Sequence, residues 1–116
     1  MLTLKFGGTS MGSARRILDS VEIMVGRAKS DRISVVVSAV AGVSNKLQAA
    51  IDGCASGGTA ESFVSELRRI HADICAEIKS ALPEFSTESV NAKIEPLFSE
   101  LEKLLAGLTV FGECPD

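Results

Sequence analysis

The first apolar segment, Leu2 to Phe6, is a short extended run. It ends in Gly7-Gly8 and passes into Thr9, Ser10, Gly12 and Ser13, all turn or cap formers. From Ser13 the period changes: Ile17, Val21, Met24, Val25 and Ala28 recur at helical spacing, which predicts an amphipathic helix ending near Gly26 to Ser30. Ile33 to Val37 is apolar and β-branched almost throughout, as expected of a strand buried on both faces of a parallel sheet. Strand, helix and strand together make a βαβ unit. Ser38 to Asn45 is a second loop rich in small residues, and Asn45 is placed to cap a short helix through Lys46, Leu47, Ala50 and Ile51.

Gly53 to Thr59, containing Gly57-Gly58, reads as a linker, with Thr59 as the N-cap of the next helix. Phe63, Leu67, Ile70, Ile74, Ile78 and Ala81 then form one helical stripe, stopped by Leu82-Pro83. Val90, Ile94, Leu97, Leu101, Leu104 and Leu108 form a second, so the two segments are expected to pair as an antiparallel hairpin. Pro96 interrupts that second stripe and implies either a kink or a new helix with Pro96 in its first turn. Leu108 to Phe111 fits a third strand or a continued helix equally well. The expected layout is a βαβ core with its loops over 1–53 and a helical hairpin over 59–108.

Composition narrows the function classes. A chain of 116 residues has room for one domain, and 46% hydrophobic with 23% charged residues is globular composition. A formal charge of -3, with no Trp or Tyr to stack on bases, argues against a nucleic-acid partner. No apolar run approaches the roughly 18 residues of a membrane span, and the opening residues lack the pattern of a secretory signal. No membrane association and a cytoplasmic address are therefore expected. Cys54, Cys75 and Cys114 have no metal-ligand or disulfide spacing and read as reduced, structural thiols. No metal site is expected from the chain's own residues. His71 sits on a helical stripe without a second ligand nearby and reads as structural; Arg68, Arg69, Glu95, Glu100, Glu102 and Lys103 read as solvated helix faces.

Two strands and about four helices are too few for a doubly wound sheet of ~5 or 6 strands, and the chain stops directly after an apolar segment. An amino-terminal piece of a larger α/β domain is expected. In such sheets ligands bind beyond the carboxyl ends of the strands, where the two small-residue loops should be neighbours. Gly7 and Gly8 would let the backbone turn tightly and approach an anion, with helix-start amides and Lys5 supplying positive charge. The pattern is neither GxxxxGK[ST] nor GxGxxG. On local physics alone, a plain strand-to-helix turn explains the glycines as readily as a phosphate site.

Lys5-Phe6-Gly7-Gly8-Thr9-Ser10, followed about 30 residues later by Val36-Val37-Ser38-Ala39 and Gly42-Val43-Ser44-Asn45, closely resembles the start of the aspartate kinases. Phe111-Gly112-Glu113-Cys114-Pro115-Asp116 resembles the subgroup fused to homoserine dehydrogenase. The resemblance covers the whole chain but only the opening third or so of an amino-acid-kinase catalytic domain. It implies an α/β fold, the N-terminal part of a carbamate-kinase-like three-layer sandwich. It also implies ATP and Mg2+ as cofactors, and phosphoryl transfer to the side-chain carboxylate of L-aspartate in lysine, threonine and methionine biosynthesis. By position, Lys5, Gly7 and Gly8 match residues facing the transferred phosphate, with Thr9 and Ser10 shaping the turn. Ser38, Ala39 and Ser44 match positions lining the aspartate site.

One departure is Ser44-Asn45 where the family has Thr-Asn, which keeps the hydroxyl and loses a methyl. The stretch alone is expected to be inactive, because the family's nucleotide loop and regulatory ACT domains lie beyond the region of resemblance. Exposed sheet edges and an apolar hairpin are expected to favour a homo-oligomer. Two rival readings are a non-catalytic helical interaction module and another amino-acid kinase.

Overall fold

The computed structural model describes residues 1–111; the resemblance carried by Gly112 to Asp116, and Cys114 within it, lies outside the described residues. The chain divides into two compact units, Met1–Ser44 and Asn45 onward.

In the first unit, β1 (Leu2–Phe6) and β2 (Ile33–Val37) pair in parallel as a two-stranded sheet, in register from Leu2 opposite Ile33 to Phe6 opposite Val37. A 3-10 turn (Gly8–Met11) and α1 (Ala14–Ala28) form the crossover. Ser13 caps α1, its Oγ accepting the Arg16 N–H at 3.3 Å. Met11, Ala14 and Ser20 are buried.

The expectation that β2 is buried on both faces does not hold here. Val36 and Val37 are 49% and 53% exposed, because a sheet of two strands with one helix against it leaves the other face bare. Val21 and Val25, expected on the buried face of α1, are exposed as well.

α2 (Val43–Ala55) starts earlier than expected. The Val43 N–H donates to the Val40 carbonyl at 3.0 Å and Val43 is buried, so Asn45 lies inside the helix and caps nothing. α2 also runs through Gly53, which shortens the connection to Ser56–Thr59. Its end is a Schellman turn: Gly58 N–H donates to Gly53 O at 2.8 Å and Gly57 N–H to Cys54 O at 3.0 Å. Gly57 has φ +95, a left-handed conformation that costs a residue with a Cβ roughly 1–2 kcal/mol. Gly57→Ala is therefore expected to lower stability by about that amount, read as a lower urea midpoint at unchanged denaturant slope.

α3 (Ala60–Ala81) begins at Thr59 as expected, but the Thr59 hydroxyl bonds Ser62 Oγ at 2.9 Å and not a backbone amide. The helix stops before Pro83, where the Lys79 ammonium donates to the carbonyls of Pro83 and Phe85 and closes the turn. In α4 (Thr87–Phe111), the Ser86 hydroxyl accepts the Ser89 N–H at 3.1 Å. Pro96 lies inside one continuous helix, so no new helix starts there, and Leu108 to Phe111 is helical.

The hairpin forms, on stripes only partly those expected. Leu97 and Leu104 are 64% and 60% exposed, whereas Leu105 and Leu108 are buried and Phe98 and Leu101 pack beside them. On α3 the expected Leu67 and Ile78 are buried and are joined by Val64 and Cys75, while Phe63, Ile70 and Ile74 are half-buried and Ala81 is exposed. The core also draws on α2: Ala50 and Cys54 join Ala60, Val64, Leu105 and Leu108, so three helices share it where two were expected. Cys54, in this core, and Cys75 are buried free thiols, and burial pushes the Cys75 thiol up, which favours its neutral form.

Arg68 is not the solvated cation that the sequence pattern suggests. Its guanidinium lies 5.7 Å from the Phe98 ring centre and reaches Glu95 at 2.8 Å and Glu102 at 3.3 Å, three α4 residues that share one helix face. These bonds raise the Arg68 pKa, Glu95 contributing most. Arg69 does behave as a surface residue, pairing with Asp73 one turn on at 3.2 Å. His71 is structural: its Nδ1–H donates to Leu67 O at 2.7 Å and its ring meets Phe98 edge-on at 5.5 Å. The exposed Lys46–Glu66 pair, 2.6 Å apart, holds the Glu66 carboxyl below the usual range through its hydrogen bond.

Candidate functional site

The parallel register sets both strands to end at one edge. Lys5 stands beside Val36 and Phe6 beside Val37, and the Ser38 N–H continues the ladder by donating to Phe6 O at 3.0 Å. Lys5, Phe6, Gly7, Val36, Val37 and Ser38 consequently line one pocket of about 300 Å3 beyond the carboxyl ends of the strands. Lys5 is exposed and makes no ion pair among the described residues, so its ammonium is available to an anion.

Gly7 and Gly8 have a different basis from the expected one. Gly7 has φ -81 and ψ -177, which any residue adopts, and Gly8 is not left-handed either, so the turn itself does not demand glycine. A Cβ on Gly7 would meet nothing within 4 Å, and one on Gly8 would touch Ser38 Oγ at 3.8 Å. Neither the backbone nor packing within the chain explains the pair. What a side chain on Gly7 would fill is space at the pocket that Lys5 and Ser38 line.

The amides near this pocket belong to the 3-10 turn and not, as expected, to the start of the long helix, which is three residues further on and is capped by Ser13. A 3-10 turn leaves its first N–H groups without partners inside the turn. With Gly7 as the cap, the i→i+3 pattern pairs the Ser10 N–H with the Gly7 carbonyl, which leaves the amides of Gly8 and Thr9.

Of the residues singled out in the sequence, Lys5, Gly7 and Ser38 come together at the pocket, and Gly8 faces Ser38. Thr9 and Ser10 shape the adjoining turn, whose Thr9 carbonyl accepts the Gly12 N–H at 3.2 Å. Ala39 is exposed in the loop after β2, and Ser44 is exposed in the first turn of α2; neither lines the pocket. Sequence reading passed over Ser20, whose hydroxyl lies 3.3 Å from the Ser10 carbonyl. Its signal is a polar residue at helical spacing between Ile17 and Met24, on the side of α1 that carries apolar residues.

The arrangement suits an anion of phosphate type: one exposed cation, the amides of Gly8 and Thr9, and a cradle that a Cβ would fill. It does not by itself suit a divalent cation, since among the described residues no three His, Cys, Asp or Glu side chains converge as a metal site. No helix among the described residues is long and apolar enough to cross a membrane.

Comparison with known proteins agrees with the resemblance. No protein-family model matches the chain. Over its full length the chain is 28% identical to a bifunctional aspartokinase/homoserine dehydrogenase of Buchnera aphidicola. It covers 14% of that protein. The fold matches E. coli aspartokinase III, solved with lysine and aspartate, at a TM-score of 0.71 and 23% identity, over 95% of this chain and 23% of the other.

Proposed function

We propose that this aspartokinase-like chain carries the phosphate-facing and aspartate-facing loops of an enzyme that transfers the γ-phosphoryl group of ATP to the side-chain carboxylate of L-aspartate, giving 4-phospho-L-aspartate. The observation that carries the reading is the placement of Lys5, Ser38 and a glycine without a conformational reason around one pocket at the strand ends.

The chemistry fits these parts. An aspartate carboxylate, which ordinarily titrates near pH ~3.9, is ionised at neutral pH and needs no general base to become a nucleophile. What the reaction needs is positioning and positive charge on the equatorial oxygens of the moving phosphoryl group. Lys5 supplies a full charge, the amides of Gly8 and Thr9 supply partial ones, and Gly7 lets the phosphate come close to the backbone. Ser38, Ala39 and Ser44 belong to the acceptor side, with hydroxyls from Ser38 and Ser44 for the amino acid's polar groups. Mg2+ would accompany the nucleotide, and the described residues do not form a site for it.

The stretch spans a small part of its relatives, so the 116 residues by themselves are expected to be inactive. The test is ADP release by the protein as its gene encodes it, supplied with MgATP. Release that depends on added aspartate supports the reading. Release that is absent, or equally fast without aspartate, counts against it.

A further inference from the structure

We infer that Ser20 is a positioning residue for the phosphate-facing turn, acting through the Ser10 carbonyl; this rests on the proposed phosphate-binding role of that turn. Ser20 is 4% exposed and is the one buried polar side chain among the described residues. A serine there is unfavourable on two counts. It is a poorer helix former than alanine, and removing its hydroxyl from water costs free energy unless the group is hydrogen-bonded.

The hydroxyl has two acceptors within reach, Arg16 O at 2.9 Å and Ser10 O at 3.3 Å, and one proton to share between them. The first needs no special position: Ser80 makes the same bond to Ala76 O at 3.2 Å from an exposed site on α3. The second is what this position adds. It ties α1 to Ser10, in the turn that carries the Gly8 and Thr9 amides, and so fixes the height of those two amides over the pocket edge. The turn's own link onward, Gly12 N–H to Thr9 O at 3.2 Å, stays within the loop and cannot set its place relative to the helix.

The experiment compares Ser20→Ala and Ser20→Cys with the unmodified protein as its gene encodes it, by amide hydrogen exchange and steady-state kinetics. In Ser20→Ala the Gly12 amide is expected to exchange roughly tenfold faster, with the far-UV spectrum retained. Turnover is expected to fall about tenfold at nearly constant KM for aspartate, as displacement of charge-stabilising groups predicts. Cysteine fills the volume but donates weakly, so Ser20→Cys is expected to behave like alanine.

Three results would overturn the inference: unchanged exchange in Ser20→Ala, faster exchange with unchanged kinetic constants, or full recovery of both in Ser20→Cys. If the unmodified protein shows no aspartate-dependent turnover, the functional reading falls, and the exchange comparison still decides whether Ser20 holds the turn.

Discussion

Lys5→Ala is expected to abolish most aspartate-dependent turnover while leaving the fold intact. Lys5 is exposed at the end of β1 and makes no ion pair among the described residues, so little stability depends on it. Surface substitutions of this kind usually fall within about 0.5 kcal/mol. Its contribution would be to the transition state, where a preorganised donor aimed at developing charge is worth about 3–4 kcal/mol, or roughly 100- to 1000-fold in kcat. The check is ADP release at saturating MgATP and aspartate beside a thermal melt. Lys5→Arg separates charge from shape: the guanidinium keeps the charge but replaces a compact ammonium with a longer planar fork, so partial activity is expected. Turnover within about twofold of the parent in Lys5→Ala would remove the phosphate reading and favour a helical module without catalysis.

The site was legible in the sequence to the extent that it is local. Lys5, Gly7 and Ser38 follow from two strands ending in small-residue loops, and parallel pairing then brings those loops to one edge. The reason for the glycines was not legible. A glycine pair after a strand suggests a tight turn, and only the dihedral angles show that Gly7 and Gly8 adopt ordinary conformations. Ser20 escaped for a related reason. Its link to Ser10 joins residues ten apart across a change of element, and no periodicity encodes which helix position faces a preceding turn.

Element boundaries failed where a backbone bond competed with a side-chain cap. Asn45 is a good N-cap by type, yet burial of Val43 and its bond to Val40 O start α2 sooner. Arg68 shows the same limit in tertiary form. Its charge and neighbours suggest solvent, and the crossing of α3 and α4 places it on Phe98 between two carboxylates 27 and 34 residues away.

The stripe on α4 offers the sharpest test of the fold, because it sets two adjacent leucines against each other. Sequence spacing selects Leu97 and Leu104 along with Val90, Ile94, Leu101 and Leu108. The structure keeps Leu101 and Leu108 of that stripe in the core but adds Phe98 and Leu105 in place of Leu97 and Leu104, steps of three and four that fit helical periodicity equally well. Apolar residues occupy both stripes, so periodicity alone is degenerate; packing against Val64 and Cys54 breaks the tie. Leu105 is 2% exposed, one of the largest fully buried side chains, and Leu105→Ala is expected to cost about 3 kcal/mol by leaving a cavity in the three-helix core. Leu104, at 60% exposed, is expected to tolerate alanine within about 0.5 kcal/mol, with the helix-forming tendency of alanine offsetting the lost contact. Urea unfolding of the two variants side by side decides the matter. A larger loss at Leu104 would turn α4 toward the position that simple spacing selects, and equal losses would mean that neither leucine is set apart by the core.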